Sequence, residues 1–189
     1  MKVIDSGMPE EKLWSTFFNV ELILSELEID KSINDLVEIG FGYGTFTLPA
    51  SKRINGTLYA FDIEDNMLQL LSQKLSVAKI INVTPEKRDI LESCTGMDAE
   101  SVNYVMLFNI LHHNKPNDFL NEAWRILKPK GKIGIIHWRS DIPTPRGPEV
   151  IIRPKPEHIS QWIDFAKFYL HKSPFILEPY HFGLIITKK

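Results

Sequence analysis

The stretch LVEIGFGYGTFTLPAS, Leu36 to Ser51, sets alternating glycines at 40, 42 and 44 between an apolar run and a helix-like run. A short apolar segment that turns sharply into a helix is the strand-to-helix junction expected of a sheet covered on both faces. Glycine admits positive φ and puts no Cβ between backbone and ligand, so this junction is offered to a bound molecule. The amides that open the following helix favour a ligand bearing a carboxylate or phosphate.

Outward from this junction, apolar runs and amphipathic stretches take turns. Strands are expected at Leu36 to Ile39, Leu58 to Phe61, Ile80 to Val83, Val102 to Ile110 and Lys132 to Trp138. Helices are expected over 45–53, 65–77 and 117–127, the last stopped by the Lys-Pro-Lys-Gly run at 128–131. Residues 10–28 place Leu13, Phe17, Val20, Leu24 and Leu27 at helical steps, which predicts one helix with a single buried face. Such alternation predicts an α/β fold with a mostly parallel sheet and helices on both faces.

The rhythm changes near the end. A proline-rich loop over 141–156 leads to a helical stretch from about Glu157 to Leu170 and then to FILEPYHFGLIITKK. That segment reads as two strands joined by a tight turn near Pro179 to His181, and so short a connection joins only antiparallel neighbours. The chain is accordingly expected to be one domain: an N-terminal helical lid over 1–30, a ligand-binding core over 36–138, the loop, and a helix with a closing hairpin over 157–189.

In such a sheet the ligand sits beyond the carboxyl ends of the strands. A dinucleotide site asks for G-x-G-x-x-G, whereas here Thr45 stands at the third position and glycine comes one residue early, which disfavours NAD. Asp62, at the end of the run LYAFD, stands where it accepts hydrogen bonds from a ribose diol.

Composition narrows the classes further. The 189 residues carry 22 Lys and Arg against 24 Asp and Glu, with no basic block, so duplex nucleic acid is not an expected partner. No run approaches a membrane span and no signal peptide is evident, which leads us to expect a cytoplasmic protein. The single cysteine, Cys94, makes no internal disulfide and no thiolate metal site, and no other metal-ligand spacing is evident.

The motifs E-x-G-x-G-x-G at Glu38 to Gly44, F-D-I at 61–63, R-D-I at 88–90, N-I-L-H-H at 109–113 and W-R-I-L-K-P-K-G at 124–131 resemble those of the class I S-adenosylmethionine-dependent methyltransferases. The resemblance is to the small methyltransferase-domain branch related to quinone-biosynthesis C-methyltransferases. It implies a Rossmann-like seven-stranded sheet, mostly parallel with the last strand antiparallel, and S-adenosyl-L-methionine as cofactor. By the same resemblance, Gly40 and Gly42 of the Glu38–Gly44 loop hold the methionine part, and Glu38 reaches its ammonium directly or through water. Asp62 then holds the ribose hydroxyls, Ile63 lies on the adenine face, Asp89 and Ile90 meet the adenine edge, and Asn109 lines the sulfonium end. Arsenic methyltransferases share these motifs but hold arsenic with several cysteines, which one cysteine cannot do.

A sulfonium methyl is already activated, so the protein needs only to align donor and acceptor, exclude water and, for some acceptors, remove a proton. His112, His113 and His137 are the candidate catalytic groups, each weighed against an ordinary packed or solvated histidine. Trp14, Phe18 and Tyr43, with Arg146 of the proline-rich loop, are the candidate substrate contacts. Phe17 and Phe18 also fit simple packing on the sheet, and Arg139, Arg146 and Arg153 fit solvated loop charges. The expected partner is a small-molecule acceptor. Two alternatives remain at this level: a catalytically silent module that keeps the cofactor pocket, and an NAD- or nucleotide-dependent enzyme of similar topology.

Overall fold

The computed structural model describes residues 8–189. The first seven residues of the expected lid lie outside the described residues. Seven strands form one sheet in the order β3-β2-β1-β4-β5-β7-β6. These are β1 (Leu36–Ile39), β2 (Leu58–Asp62), β3 (Val83–Lys87), β4 (Val102–Phe108), β5 (Leu127–Trp138), β6 (Phe168–Leu177) and β7 (His181–Lys188). The first five run parallel, and β7 lies antiparallel to both β5 and β6. The resemblance and the tight turn both required that reversal.

Alternation along each central strand divides the core. Leu36, Leu58, Ala60, Tyr104 and Met106 face one layer, where they meet α2 (Val20–Glu26), α3 (Thr47–Arg53) and α4 (Asp65–Ala78). Val37, Ile39, Val105, Leu107 and Ile135 face the other, against α5 (Ile90–Ser93), α6 (Pro116–Ile126) and α7 (Pro156–Trp162). Neighbouring residues of a strand point to opposite faces, so burial on both faces demands the near-continuous apolar runs seen in the sequence.

Four expectations need correction. The stretch 10–28 is two helices, α1 (Glu11–Ser15) and α2, because the Asn19 side chain accepts from the Leu22 amide at 3.2 Å and caps a new helix start. Phe18 lies in the break and bridges Pro179 of the β6–β7 turn. The third strand is Val83–Lys87, not Ile80–Val83. Lys79 turns left-handed to end α4, which leaves Ile81 96% exposed before the strand begins.

Next, α7 stops at Trp162 rather than Leu170. The Asp164 side chain accepts from the Ala166 amide at 2.9 Å, its carbonyl accepts from Lys167 and Phe168, and β6 starts there. Finally, β5 begins at Leu127, so the chain passes from α6 into the strand with no intervening loop. The remaining helices and strands stand within two residues of their expected bounds. No helix among the described residues is long and apolar enough to cross a membrane.

Candidate active site

The carboxyl ends of β1, β2 and β4 open onto a cleft of about 360 Å³. Its floor is the glycine loop. Gly40, Gly42 and Gly44 all have positive φ, at 82°, 51° and 74°. Gly40 and Gly42 line the cleft, and a Cβ on Gly40 comes within 3.1 Å of Ile110 Cδ1 on the opposite wall. Gly44 does not line it. A Cβ there meets Leu71 and Leu48 at 2.8 and 2.9 Å, so this glycine lets α4 and α3 close on the loop.

The amides of the two cleft-lining glycines are spent within the protein rather than held open for an anion. The Gly40 amide donates to the Phe61 carbonyl at 2.7 Å and the Gly42 amide to Asp62 Oδ2 at 2.8 Å. The other Asp62 oxygen accepts from the amides of Ile63 at 2.7 Å and Glu64 at 3.1 Å. One carboxylate thus clamps the first loop to the second. Burial raises its pKa, and the three amide donors oppose that rise.

Across the cleft, the Asp89 side chain caps α5 by accepting from the Leu91 amide at 2.9 Å. Ile63, Asp89 and Ile90 line the same wall. Asn109 follows β4 with φ at 55°, and its side-chain oxygen is buried without a hydrogen-bond partner. A non-glycine residue in that conformation, with an orphaned acceptor beside a cavity, is strain concentrated at a site.

Glu38 lies beneath the loop, 2% exposed, and does not line the cleft. It accepts from Thr47 Oγ1 at 2.5 Å, and burial pushes its carboxyl up to about 8. In this geometry Glu38 anchors its own loop to α3 and its side chain does not open onto the cleft.

Of the three histidines, only His112 lines the cleft. Its Nδ1 lies 3.2 Å from Nε2 of His137, which is fully buried on β5. His113 turns away: its Nδ1 accepts from the Lys115 amide at 3.2 Å and its ring packs edge-on against Phe119. The expectation of a catalytic His113 does not fit a ring spent on its own turn.

The expected substrate contacts divide likewise. Trp14 and Tyr43 line the cleft, whereas Phe18 is buried among Phe46, Trp138 and His181. Tyr43 ties the segment before α1 to the glycine loop, its hydroxyl donating to the Pro9 carbonyl at 3.1 Å. Lys74 of α4 donates to the Tyr43 carbonyl and pairs with Glu11 of α1.

Arg146 is exposed and does not reach the cleft. Arg153 is the working arginine of that loop, its guanidinium donating to the carbonyls of Pro148, Arg139 and Arg146. It also lies 5.6 Å from the Trp138 ring centroid, so it fixes the loop rather than receiving a substrate.

Sequence reasoning missed Arg88, Glu64, Phe61 and Met67, which also line the cleft. Arg88 and Phe61 each precede an aspartate already singled out; that adjacency was their one signal. The Arg88 Nε donates to Glu86 at 2.7 Å, so its charge is compensated. Acceptors therefore dominate the wall: Asp62, Glu64, Asp89 and the Asn109 oxygen. A polyphosphate is repelled by that set, while a ligand with ribose hydroxyls, an exocyclic amine and a cationic centre fits it. Among the described residues no group of three or more His, Cys, Asp or Glu is placed to hold a metal ion.

Comparison with known proteins agrees with this chemistry. A family described as "Methyltransferase domain" matches residues 36–131, which span β1 to the middle of β5. No curated protein matches the chain by sequence. Among solved structures, a SAM-dependent methyltransferase from Aquifex aeolicus is 21% identical over 92% of this chain and 91% of its own, with a TM-score of 0.81. A structure from Sulfolobus solfataricus named for the type 11 methyltransferases is 27% identical over 89% of this chain and 90% of its own, with a TM-score of 0.70. A geranyl diphosphate methyltransferase in complex with SAM is 12% identical over 94% of this chain and 86% of its own, with a TM-score of 0.74.

Proposed function

Since the chain belongs to the class I S-adenosylmethionine-dependent methyltransferases, with S-adenosyl-L-methionine as cofactor, we propose that it methylates a small, at least partly apolar organic acceptor by in-line displacement. The observation that carries this reading is the cleft itself. Its volume of about 360 Å³ lies at the low end of the range for a drug-sized ligand, and Trp14 and Tyr43 bound it on the lid side. Beside the cofactor such a cleft leaves room for a small partner only.

The roles follow from position. Asp62, already held by three amides, turns the one lone pair left on Oδ2 to the ribose diol, and Ile63 supports the adenine face. Asp89 accepts from the adenine amine while the Ile90 amide, at the first turn of α5 where helical amides lack intrahelical partners, donates to the ring. Gly40 and Gly42 let the methionine part lie against bare backbone. The Asn109 carbonyl faces the sulfonium end. Bound there, the cofactor supplies a methyl group that is already activated, so the protein's own contribution is alignment and water exclusion. Trp14 and Tyr43 contribute the exclusion, and His112 meets the acceptor.

Titration calorimetry tests the ligand class directly. S-adenosylhomocysteine is expected to bind and NADH to give no heat, because the wall offers acceptors and the amides of Gly40 and Gly42 are already engaged; tight NADH binding without the homocysteine compound ends this reading. A turnover screen over small acceptors then tests the enzyme, and efficient methylation of a folded protein or of RNA overturns the small-acceptor assignment. The lid is tested by Tyr43→Phe, which deletes the bond to Pro9 worth about 1 kcal/mol. Turnover should fall by up to about fivefold with cofactor affinity nearly unchanged. No change in turnover removes Tyr43 from the lid.

A further inference from the structure

Met8 and Trp14 both line the cleft, so the chain between them passes along its rim. Little within that segment holds it in place. α1 is five residues long, well short of the length at which a helix persists in water, and no side chain caps its start. Its position is set by what it touches on the body of the fold. A Cβ on Gly42 would come within 3.5 Å of the Met8 sulfur, the Pro9 carbonyl accepts from the Tyr43 hydroxyl, and Glu11 pairs with Lys74.

These ties converge on Lys74. It stands on α4, a 14-residue helix that buries Met67, Leu71 and Leu75. Gly44 brings that helix close to the glycine loop, since a Cβ there would strike Leu71 at 2.8 Å. From this fixed post one ammonium donates to the Tyr43 carbonyl at 2.7 Å and to the Glu11 carboxylate, and it lies 6.0 Å from the Tyr43 ring centroid. The side chains of Lys74 and Glu11 are 24% and 44% exposed, and an exposed ion pair on its own stabilises little. Here the carbonyl already orients the ammonium, so less side-chain freedom is lost when Glu11 docks on it. Neither Lys74 nor Glu11 lines the cleft.

We propose that Lys74 is a positioning residue that latches the 8–15 segment over the cleft: its ammonium joins the Tyr43 carbonyl of the glycine loop to Glu11 of α1, and release of Glu11 lets ligand in and out. The identity of that ligand rests on the methyltransferase reading of the cleft. Because the paired groups do not touch the bound molecule, loosening them speeds entry and exit alike and leaves affinity nearly unchanged. A residue in contact with the cofactor would change affinity instead, and one that only supports the fold would change neither rate.

Glu11→Ala removes the carboxylate at a partly exposed helical position that alanine suits, so folding is not at risk. Without ligand, hydrogen–deuterium exchange should accelerate about two- to fivefold at the amides of Trp14 and Phe17, which bond to the Glu10 and Trp14 carbonyls. Stopped-flow mixing with S-adenosylhomocysteine should show the association and dissociation rate constants both raised by a similar factor, with Kd within about twofold of wild type. Lys74→Met should accelerate the same amides at least as much, and adding Glu11→Ala to it should change nothing further. Unaltered amide exchange in Glu11→Ala overturns the proposal. So do additive effects of the two substitutions, or faster dissociation matched by an equal loss of affinity in Glu11→Ala. Faster amide exchange in a protein that binds no S-adenosylhomocysteine would instead overturn the cofactor roles assigned to the cleft and leave the latch standing.

Discussion

Asp62→Ala is expected to weaken S-adenosylhomocysteine binding by about 1 to 3 kcal/mol, or roughly 5- to 150-fold. Two losses combine. The first is the charged acceptor for the ribose hydroxyls, which no neighbour replaces. The second is structural, since the same carboxylate receives the amides of Gly42, Ile63 and Glu64. With the clamp gone, the Gly42 amide is left without its partner and the glycine loop loses its register against β2. Asp62→Asn separates the two contributions. Its single acceptor oxygen serves either Gly42 or the Ile63–Glu64 side and opposes an NH₂ to the other, so it should fall between wild type and alanine. Calorimetry with S-adenosylhomocysteine, paired with thermal melting, reads both. Unchanged affinity with a lowered melting temperature would mean that Asp62 only caps its own turn.

The central part of this fold was legible because buried parallel strands must be apolar throughout. β1, β2 and β4 announced themselves as runs, and Gly40 and Asp62 at the carboxyl ends of the first two became site candidates by position, whereas Asn109 after β4 came from the family resemblance. Besides the start of β5, the misplaced strands are the two at the sheet edges, β3 and β6. Both contain a proline, Pro85 and Pro174, which an edge tolerates because one side of its backbone needs no ladder bond. Both also expose polar or charged residues, so they lack the apolar signal of a central strand. The helix over 10–28 failed for another reason. Its apolar spacing persists across residues 16–19, where Asn19 restarts the helix, and periodicity alone does not see a break that keeps phase. At the site, sequence identified residue types and missed partnerships. Nothing near Glu38 marked Thr47 as its partner, and nothing near His112 pointed to His137. Such contacts are made by the sheet order and by helix packing, which set residues from separate strands and helices side by side.

Glu38→Gln is expected to stabilise the protein above neutral pH while leaving it unchanged in acid. The folded state holds the Glu38 proton with a pKa of about 8, because burial opposes the charged form more than Thr47 favours it. In the unfolded chain the same group titrates near its ordinary value of about 4.3. Below that value both states are protonated and the full stability is present. Between the two values the unfolded state has released its proton and the folded state has not, so stability falls by up to about 1.4 kcal/mol per pH unit. Near pH 8 the fall is complete. At pH 7 the loss is on the order of 3 kcal/mol, since this carboxyl is fully enclosed and no solvent screens it. Glutamine copies the shape of the neutral acid and keeps an oxygen for the Thr47 hydroxyl, but it has no proton to lose. Its melting temperature should therefore exceed that of the wild type by about 10 to 20 °C at pH 8 and match it at pH 4.5, with the difference opening across that interval. Two melting curves that stay parallel over the whole range would show that Glu38 is ionised in the folded protein. The same variant decides how Glu38 serves the cofactor. If the side chain only anchors the loop through Thr47, the Glu38→Gln protein binds S-adenosylhomocysteine within about threefold of wild type, because less than about 1 kcal/mol is at stake. A loss of about tenfold or more would show that the carboxylate emerges to meet the ammonium when the cofactor binds.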